Sequence, residues 1–354
     1  MNTRVIGLLP SDGEMVVDMI SKLLKTAALS TVALLGLIDP ALARCDSGEI
    51  VIRMSHVNRP VGHPIGEAAS LLEKRVNEEM NGRACMEVYS NSIIYTDDRV
   101  IDALLAGDIQ MAAPGFGAVD KHTRQLRVFS MPFVFKNLAA VEDFQNSLTG
   151  ELMKLSMIGK GVRGIGFWHN GMNQLSANKP LLFPKDANGL TMRSTGTEIS
   201  KELMTLIGAS PSEISFLETY SALQEGQVDG VEETWANMQG RKLYELQEGV
   251  TETNHSFSGS ILVVANWWWK SLSNDVASDL LRITQEVSEE QNKRVFTINE
   301  NARQAILDEG GIVRPLSEER RKEWAEAFAP VWSKYAEDVH PLLIGYIQAV
   351  NARN

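Results

Sequence analysis

Two deficits in this sequence narrow its possible functions: cysteine is scarce, and the basic residues form no cluster. The 354 residues include only 2 cysteines, Cys45 and Cys85, which are too few to hold a metal ion without other ligands close by. The formal net charge is −11, and no run of Lys and Arg supplies the positive surface that a phosphate backbone requires. We therefore exclude nucleic acid as a partner.

Sequence motifs of enzymes and cofactor sites are also missing. The 6 histidines form no HExxH or similar zinc pair, and no GxSxG nucleophile elbow occurs. The segment GKGVRG at residues 159–164 matches a dinucleotide pattern by its letters. It follows a predicted helix and enters a predicted strand, however, which is the reverse of what phosphate binding at a helix N-terminus needs. We therefore predict no metal, no cofactor and no enzymatic activity.

The sequence has no apolar run long enough to span a bilayer. The apolar segment at residues 26–38 is too short for that purpose. It follows Lys22 and Lys25 and precedes Ala41-Leu42-Ala43, which is the organisation of a signal peptide. We expect residues 1–43 to be a signal peptide that is cleaved after Ala43, so that the protein is exported to the periplasm.

The cysteines fit an exported protein. Cys45 precedes the first predicted strand, and Cys85 lies at the start of the second, so pairing of these strands would bring the two thiols close. An even number of cysteines in an exported protein favours a disulfide. Two buried free thiols are the alternative. Arg44 stands where a lipoprotein signal requires a small residue, so we do not expect a lipid anchor at Cys45.

Strands and helices alternate along the chain from residue 50, which indicates an α/β fold. The pattern predicts strands at 50–57, 85–90, 109–113 and 163–169 and helices at 65–80 and 97–106. This order favours a mainly parallel sheet with helices on both faces. No proline or glycine occurs from Asn274 to Glu309, which predicts a single helix about 54 Å long, longer than one domain is wide. Helices are also predicted within 317–349.

Residues 189–237 carry the candidate binding site. A short strand ends at Arg193, two helices follow, and a second strand leads into Glu232 and Glu233. Ligands of open α/β sheets bind beyond the carboxyl ends of the strands. A guanidinium there can hold a carboxylate by two parallel hydrogen bonds. The alternative for Arg193 is a helix cap or a surface ion pair.

Several segments resemble, in the same order, the periplasmic solute-binding proteins of TRAP transporters, and they are closest to the C4-dicarboxylate-binding branch. The segments are SHV at 55–57, YSNSIIYTDDRVIDALLAGDIQMAAP at 89–114, MPFVFKN at 131–137, FWHNGMNQLSANKPL at 167–181 and the whole of 189–237. The resemblance covers most of the chain from about Cys45 onward. It implies two partners, a small organic acid ligand and the membrane permease of a TRAP transporter.

The resemblance also implies a two-lobed periplasmic binding protein fold with a hinge and a long helix that spans both lobes. The boundaries that it suggests are residues 44–169 plus 259–298 for lobe I and 170–258 plus 299–354 for lobe II. Hinge bending would close the lobes around the ligand.

In this family the arginine at the position of Arg193 holds the ligand carboxylate, and the aromatic at Phe216 forms a wall over the ligand. Asn173 lies beside that carboxylate, and Glu233 stands where the family usually has asparagine, in the segment EETW. For the aromatic members of the set, core packing is the alternative. The complete set of predicted ligand-binding residues is Arg193, Asn173, Phe216, Glu233, Trp168, His56 and Trp235.

Three departures from the family bear on the ligand. Ile65 stands where dicarboxylate-binding relatives commonly have lysine, Glu233 adds an acid, and HSFSGS at 255–260 replaces a more aromatic segment. Loss of a cation and gain of an anion disfavour a second ligand carboxylate. The sequence therefore favours a hydroxylated mono-acid, such as a sugar acid or a hydroxyaromatic acid, over a C4-dicarboxylate. Its carboxylate would bind Arg193, its hydroxyls would donate to Glu233, and the apolar Ile65 would give the site an apolar surface that favours a ligand with a ring.

Two other classes of function remain open at this point. One is an exported α/β enzyme that acts on a carboxylate with Glu232 or Glu233 as its base. The other is an extracytoplasmic sensor domain.

Overall fold

The structure, a computed structural model, describes residues 45–338 and 341–354. The expected signal peptide and its cleavage site lie outside these residues. Within the described part, each helix is too short or too polar to cross a membrane. Residues 47–354 form one compact unit.

Ten strands and thirteen α-helices make up the described part of the chain. In chain order they are β1 (Ile50–Ser55), α1 (Pro64–Glu79), β2 (Ala84–Tyr89), α2 (Val100–Ala106), β3 (Met111–Ala112), α3 (Phe116–Val119), α4 (Leu138–Gln145), α5 (Leu148–Lys154), β4 (Val162–Ala177), β5 (Thr191–Arg193), α6 (Glu198–Leu206), β6 (Ser210–Ser212), α7 (Thr219–Gln224), β7 (Gly230–Thr234), α8 (Trp235–Gly240), β8 (Gly249–Glu252), β9 (Phe257–Ala265), α9 (Asn266–Ser271), α10 (Asn274–Asp308), β10 (Val313–Pro315), α11 (Glu318–Phe328), α12 (Pro330–Lys334) and α13 (Pro341–Arg353). Short 3₁₀ helices lie at Gln125–Ser130, Ile158–Lys160, Pro184–Ala187 and Leu243–Leu246.

The strands form a mixed sheet with the order β2-β1-β3-β9-β4-β7-β5-β6, to which β8 and β10 are added beside β4. The pairs β1–β2, β1–β3, β5–β6, β5–β7 and β8–β10 are parallel. All four pairings of β4 and β9 are antiparallel. The prediction of a mainly parallel sheet was therefore wrong at its centre, because pairing between strands far apart in sequence leaves no local signal.

Strand β4 passes from one set of strands to another. Its residues 162–172 pair with β9, and its residues 173–177 pair with β7 and β8. The pairing with β9 shifts register between Gly164 and Gly166 and again between His169 and Gly171. Gly171 has φ +138°, and a Cβ there would lie 2.8 Å from the side-chain amide of Asn299. Close packing thus leaves no room for a side chain at residue 171.

The long helix predicted from Asn274 is confirmed, and it packs against α1, β4 and α8. The indole of Trp168 in β4 donates to the hydroxyl of Ser288 over 3.0 Å. The side chain of Asn299 binds the carbonyl of Asn170 over 2.8 Å and accepts from the amide of Ala236 over 3.2 Å. Helix α10 is therefore joined by hydrogen bonds to both β4 and α8.

Both cysteines, Cys45 and Cys85, are disulfide-bonded, as predicted. At the other end of the chain, Trp324 and Phe328 of α11 are fully buried in the core. The last helix, α13, packs against α4, although the expected lobe boundaries assigned these two helices to different lobes. The boundaries remain a prediction.

Candidate functional site

A cavity of about 680 Å³ opens at the carboxyl end of β5, where Arg193 lies. One wall comes from residues 57–121 and the other from residues 193–218. Several acids on the walls are already paired, since Asp120 binds Arg127 and Lys201 binds Glu198 and Glu213. The lining residues are Val57, Ser92, Thr96, Asp97, Asp98, Gly117, Ala118, Asp120, Lys121, Arg193, Ser194, Thr195, Gly196, Glu198, Lys201, Glu213, Ile214, Ser215, Phe216, Leu217 and Glu218.

The backbone and its neighbours hold the Arg193 side chain in a fixed orientation. Residue 193 ends β5, which lies between the parallel strands β6 and β7, and its side chain is largely buried. The Nε atom donates to the carbonyl of Ile214 over 3.2 Å, and Nη1 donates to the carboxylate of Glu233. The guanidinium carbon lies 5.7 Å from the ring centroid of Phe216. Among the described residues, Nη2 has no hydrogen-bond partner, so it is available to a ligand.

Glu233 is occupied by protein donors on both of its oxygens. Oε1 accepts from Arg193, and Oε2 accepts from the side-chain amide of Asn237. Burial raises the pKa of Glu233, and the positive charge of Arg193 and the hydrogen bond from Asn237 offset only part of that increase. The expectation that ligand hydroxyls donate to Glu233 is not favoured, because each carboxylate oxygen already accepts a hydrogen bond from the protein and Glu233 does not line the cavity.

Glu232, the neighbouring acid, is fully buried and fixes the loop that follows β5. Oε1 contacts the ring nitrogen Nε2 of His255 at 2.9 Å, and Oε2 accepts from Thr195 N at 3.2 Å and from the hydroxyl of Ser200. Burial alone would raise the pKa of Glu232, but these donors together with the charge interaction with His255 lower it. A carboxylate held in this way is structural and has no free position from which to act as a base.

Asp97 stands on the cavity wall formed by the N-terminal segment of the chain. Its Oδ2 accepts from the backbone nitrogen of Gly115 over 3.2 Å. Burial raises the pKa of Asp97 to about 6, although the hydrogen bond from Gly115 and the charge of Arg193 act in the opposite direction. The sequence interpretation did not select Asp97, because only the folded chain brings it into the same cavity as Arg193.

Five of the seven predicted ligand-binding residues lie outside the cavity lining: Glu233, Asn173, His56, Trp168 and Trp235. The Asn173 amide nitrogen donates to the hydroxyl of Ser256 over 3.0 Å and lies 3.5 Å from Glu232. Its oxygen is buried without a partner among the described residues. Nδ1 of His56 accepts from the backbone of Asn58 over 3.3 Å, and burial lowers the pKa of His56 to about 4. His56 is therefore neutral at physiological pH.

The two predicted tryptophans belong to the packed interior. Trp168 is 1% exposed and contacts α10 through its indole, and Trp235 is 4% exposed in a cluster around α8. Core packing, the alternative given above, describes both side chains. Phe216 by contrast lines the cavity, and its ring also lies 4.6 Å from the guanidinium carbon of Arg241. The sequence interpretation did not include Arg241.

Ile65, which was expected to give the site an apolar surface, is only 1% exposed and belongs to the hydrophobic core. It is one of the first residues of α1, whose apolar face packs inward. The inference from Ile65 towards a ring-shaped ligand is therefore wrong.

Comparison with known proteins assigns this architecture to a family. The model of "Bacterial extracellular solute-binding protein, family 7" matches residues 54–338. The chain belongs to this family. The resemblance inferred from the sequence and the two-lobed periplasmic binding protein class are thus confirmed, and the family consists of solute-binding proteins rather than enzymes.

Named relatives of this family 7 protein share much of its length. It is 47% identical over 313 residues to the C4-dicarboxylate-binding periplasmic protein DctP of Vibrio cholerae, covering 88% of this chain and 94% of the relative. A solved TRAP periplasmic solute-binding protein of Shewanella oneidensis with bound succinate has a TM-score of 0.83 and 33% identity over 86% of this chain and 99% of its own. One from Pseudomonas aeruginosa with bound L-malate has a TM-score of 0.79 and 34% identity, covering 81% and 100%.

Proposed function

We propose that this family 7 protein is a periplasmic receptor that captures a C4-dicarboxylate and delivers it to the permease of a TRAP transporter. The observation that carries the proposal is the buried, oriented guanidinium of Arg193 at the cavity wall, with Nη2 free of protein partners in the described part. In this role Arg193 holds one ligand carboxylate and Phe216 covers it. Export would follow cleavage of residues 1–43 after Ala43.

The structure gives less support to a hydroxylated mono-acid as the ligand than the sequence did. A missing cation at Ile65 and an added anion at Glu233 were the reasons to expect a mono-acid. Ile65 lies in the core, and the charge of Glu233 is balanced by Arg193. Arg241, another cation near Glu233, forms no ion pair among the described residues and stacks on Phe216. Residues 65 and 233 therefore no longer disfavour a second ligand carboxylate. Two solved relatives at 33% and 34% identity have succinate and L-malate bound.

A ligand screen tests this proposal. We expect succinate and malate to raise the Tm of residues 44–354 and to give saturable heats in calorimetry, because a ligand that binds only the folded state stabilises it. Galactonate and 4-hydroxybenzoate at equal concentration serve as the competing ligand classes. Tighter binding of either one would restore the mono-acid alternative. A receptor also returns its ligand unchanged, so conversion of malate during incubation would revive the enzyme alternative.

The ionisation of Asp97 gives a second prediction. Its pKa is raised to about 6, so the side chain is mostly neutral at pH 5 and charged at pH 8. An anionic ligand near Arg193 repels the charged form, and binding therefore favours protonated Asp97. We expect the affinity for succinate to fall by roughly threefold to tenfold from pH 5.5 to pH 7.5, as one shifted group contributes up to about 1.4 kcal/mol per pKa unit. Calorimetry across this range measures the change.

The matched variants are Asp97→Asn and Asp98→Asn. The first should flatten the pH dependence, whereas the second, at an exposed neighbour on the same wall, should keep the wild-type profile. The ligand's own titration is common to all three proteins and cancels in the comparison. The other charged residues of the cavity lining are the same in all three proteins: Asp120, Lys121, Arg193, Glu198, Lys201, Glu213 and Glu218. Equal slopes for wild type and Asp97→Asn would rule out Asp97 as the origin.

A further inference from the structure

A chain of buried hydrogen bonds leads from Arg193 to the beginning of helix α1. Arg193 donates to Glu233, Glu233 accepts from the Nδ2 of Asn237, and Oδ1 of Asn237 lies 2.7 Å from Nε2 of His63. His63 is the N-cap of α1, and its Nδ1 accepts from the backbone of Ile65 over 3.2 Å. We call Glu233, Asn237 and His63 the relay. All three side chains are at most 5% exposed.

Each link of the relay has a defined direction. Nδ1 of His63 is an acceptor, because its partner Ile65 N can only donate. Nε2 of the neutral ring therefore carries the proton and donates to the nearer of its two neighbours, Oδ1 of Asn237, while the side-chain amide of Asn58 lies 3.2 Å away. The Asn237 amide nitrogen is then left to donate to Glu233. Burial lowers the pKa of His63 to about 3, so the ring stays neutral at any pH relevant to uptake.

The relay joins segments that are distant in sequence, and it lies behind Arg193, since none of its three residues lines the cavity. His63 begins α1, whereas Glu233 and Asn237 lie at β7 and α8. The predicted lobe boundaries place them in lobes I and II respectively. A second pair of contacts runs in parallel, because Arg59 reaches Gln239 Oε1 over 3.2 Å and the carbonyl of Gly240 over 3.4 Å. The loop that precedes α1 is thus tied to α8 at two points.

We propose that His63, Asn237 and Glu233 are positioning residues that couple carboxylate capture at Arg193 to closure of the cavity. This inference depends on the proposed function, because it takes Arg193 to be the ligand contact. When all hydrogen bonds of the relay are formed, the orientation of the Arg193 guanidinium stabilises the contact between α8 and the loop before α1, and this contact stabilises the orientation of the guanidinium. A ligand held by Arg193 then favours the closed arrangement, and opening requires the relay to break before the ligand leaves.

The coupling requires a carboxylate at residue 233. Glu233 accepts from Arg193 and Asn237 with separate oxygens, so it can bind both donors at once. Glutamine at residue 233 would have a single acceptor oxygen. Its NH2 group would then face the N–H of either Arg193 or Asn237, so that two donors would oppose each other. Breaking any link leaves a buried polar group without its partner, which is costly in a low-dielectric interior.

Release kinetics test the coupling with two variants. Asn237→Ala removes the central link, and His63→Asn keeps an N-cap residue but shortens the side chain beyond reach of Asn237. With succinate as probe, we expect koff to rise about 5-fold to 20-fold in each variant and kon to stay within about twofold, because partner loss mainly changes dissociation. The double variant should resemble either single one, since a chain broken once is already uncoupled. An unchanged koff in Asn237→Ala, or multiplicative effects in the double variant, would overturn the inference.

A second measurement needs no ligand. Hydrogen exchange of the free protein should show amides of α8 losing protection by at least about 3-fold in His63→Asn, because that helix loses one of its two contacts with the loop before α1 and keeps that of Arg59. Unchanged exchange in α8 would also overturn the inference. Absence of succinate and malate binding by the wild type would count against the proposed function alone, and the exchange experiment would still decide on the relay.

Discussion

Replacement of Arg193 by alanine is expected to weaken binding of succinate or malate by at least about 30-fold. Truncation of one partner of a buried, hydrogen-bonded charge pair commonly costs about 2–5 kcal/mol, and 2 kcal/mol corresponds to roughly 30-fold. The substitution also leaves the carboxylate of Glu233 buried without its cation, since Arg193 is its only ion-pair partner in the described chain. Isothermal calorimetry at pH 7.5 measures the loss directly.

Two further variants separate ligand contact from structural damage. Arg193→Lys keeps the charge but not the planar fork, so it should bind more tightly than Arg193→Ala and more weakly than wild type. Arg193→Ala combined with Glu233→Gln removes the unpaired charge and should recover stability without recovering affinity. Wild-type affinity in Arg193→Ala would show that the ligand carboxylate is anchored elsewhere.

Replacement of Glu232 by alanine is expected to lower the free energy of unfolding by about 3–5 kcal/mol. This carboxylate is fully buried, and its removal leaves the donors of Ser200 and His255 without an acceptor and takes away one of the two acceptors of Thr195 N. The loop after β5 would then lose the contacts that hold it beside the cavity. Urea unfolding of the ligand-free protein at pH 7 measures the change, and stability equal to wild type would contradict the network described here.

Glu232→Gln provides the matched control and adds a pH signature. Because the folded-state pKa of Glu232 is lowered, its stabilising contribution is complete above the ordinary carboxyl pKa and is lost as the pH falls through the lowered value. The glutamine variant keeps the shape and does not titrate. Below about pH 4.5 the stability of the wild type should therefore approach that of the variant. Parallel acid-unfolding curves for the two proteins would show that this residue does not contribute.

Local sequence patterns predicted the elements that local chemistry determines. The absence of proline and glycine from Asn274 onward predicted α10 nearly to its last residue, and the strand predicted at 50–57 contains β1. Strand β4 was predicted only over 163–169 but extends over Val162–Ala177. Its second part, in which several side chains are polar, is held by pairing with β7 and β8. No local pattern reports such partners, and for the same reason the antiparallel centre of the sheet was not predicted.

In the candidate site, too, the sequence predicted what depends on local structure and missed what depends on contacts between distant segments. Arg193 ends a short strand, so its place at a cavity wall follows from strand geometry and is what the sequence indicated. The contacts that orient it come from Ile214 and Glu233, of which only Glu233 had been selected. His63 gave no local signal, because its role depends on an asparagine 174 residues away in sequence. Family resemblance likewise suggested Trp168 as a ligand neighbour, whereas the fold buries it against α10.

The glycine at position 171 restricts how a protein of this design can change during evolution. It occupies the point where β4 shifts its register with β9, with φ +138° and the Asn299 amide where a Cβ would lie. A side chain added there would have to take a backbone conformation that is strained for L residues and would displace the Asn299 amide from its hydrogen bonds to Asn170 and Ala236. Proteins that evolve from this one to bind a new ligand are therefore expected to keep this glycine, and to change residues of the cavity walls instead.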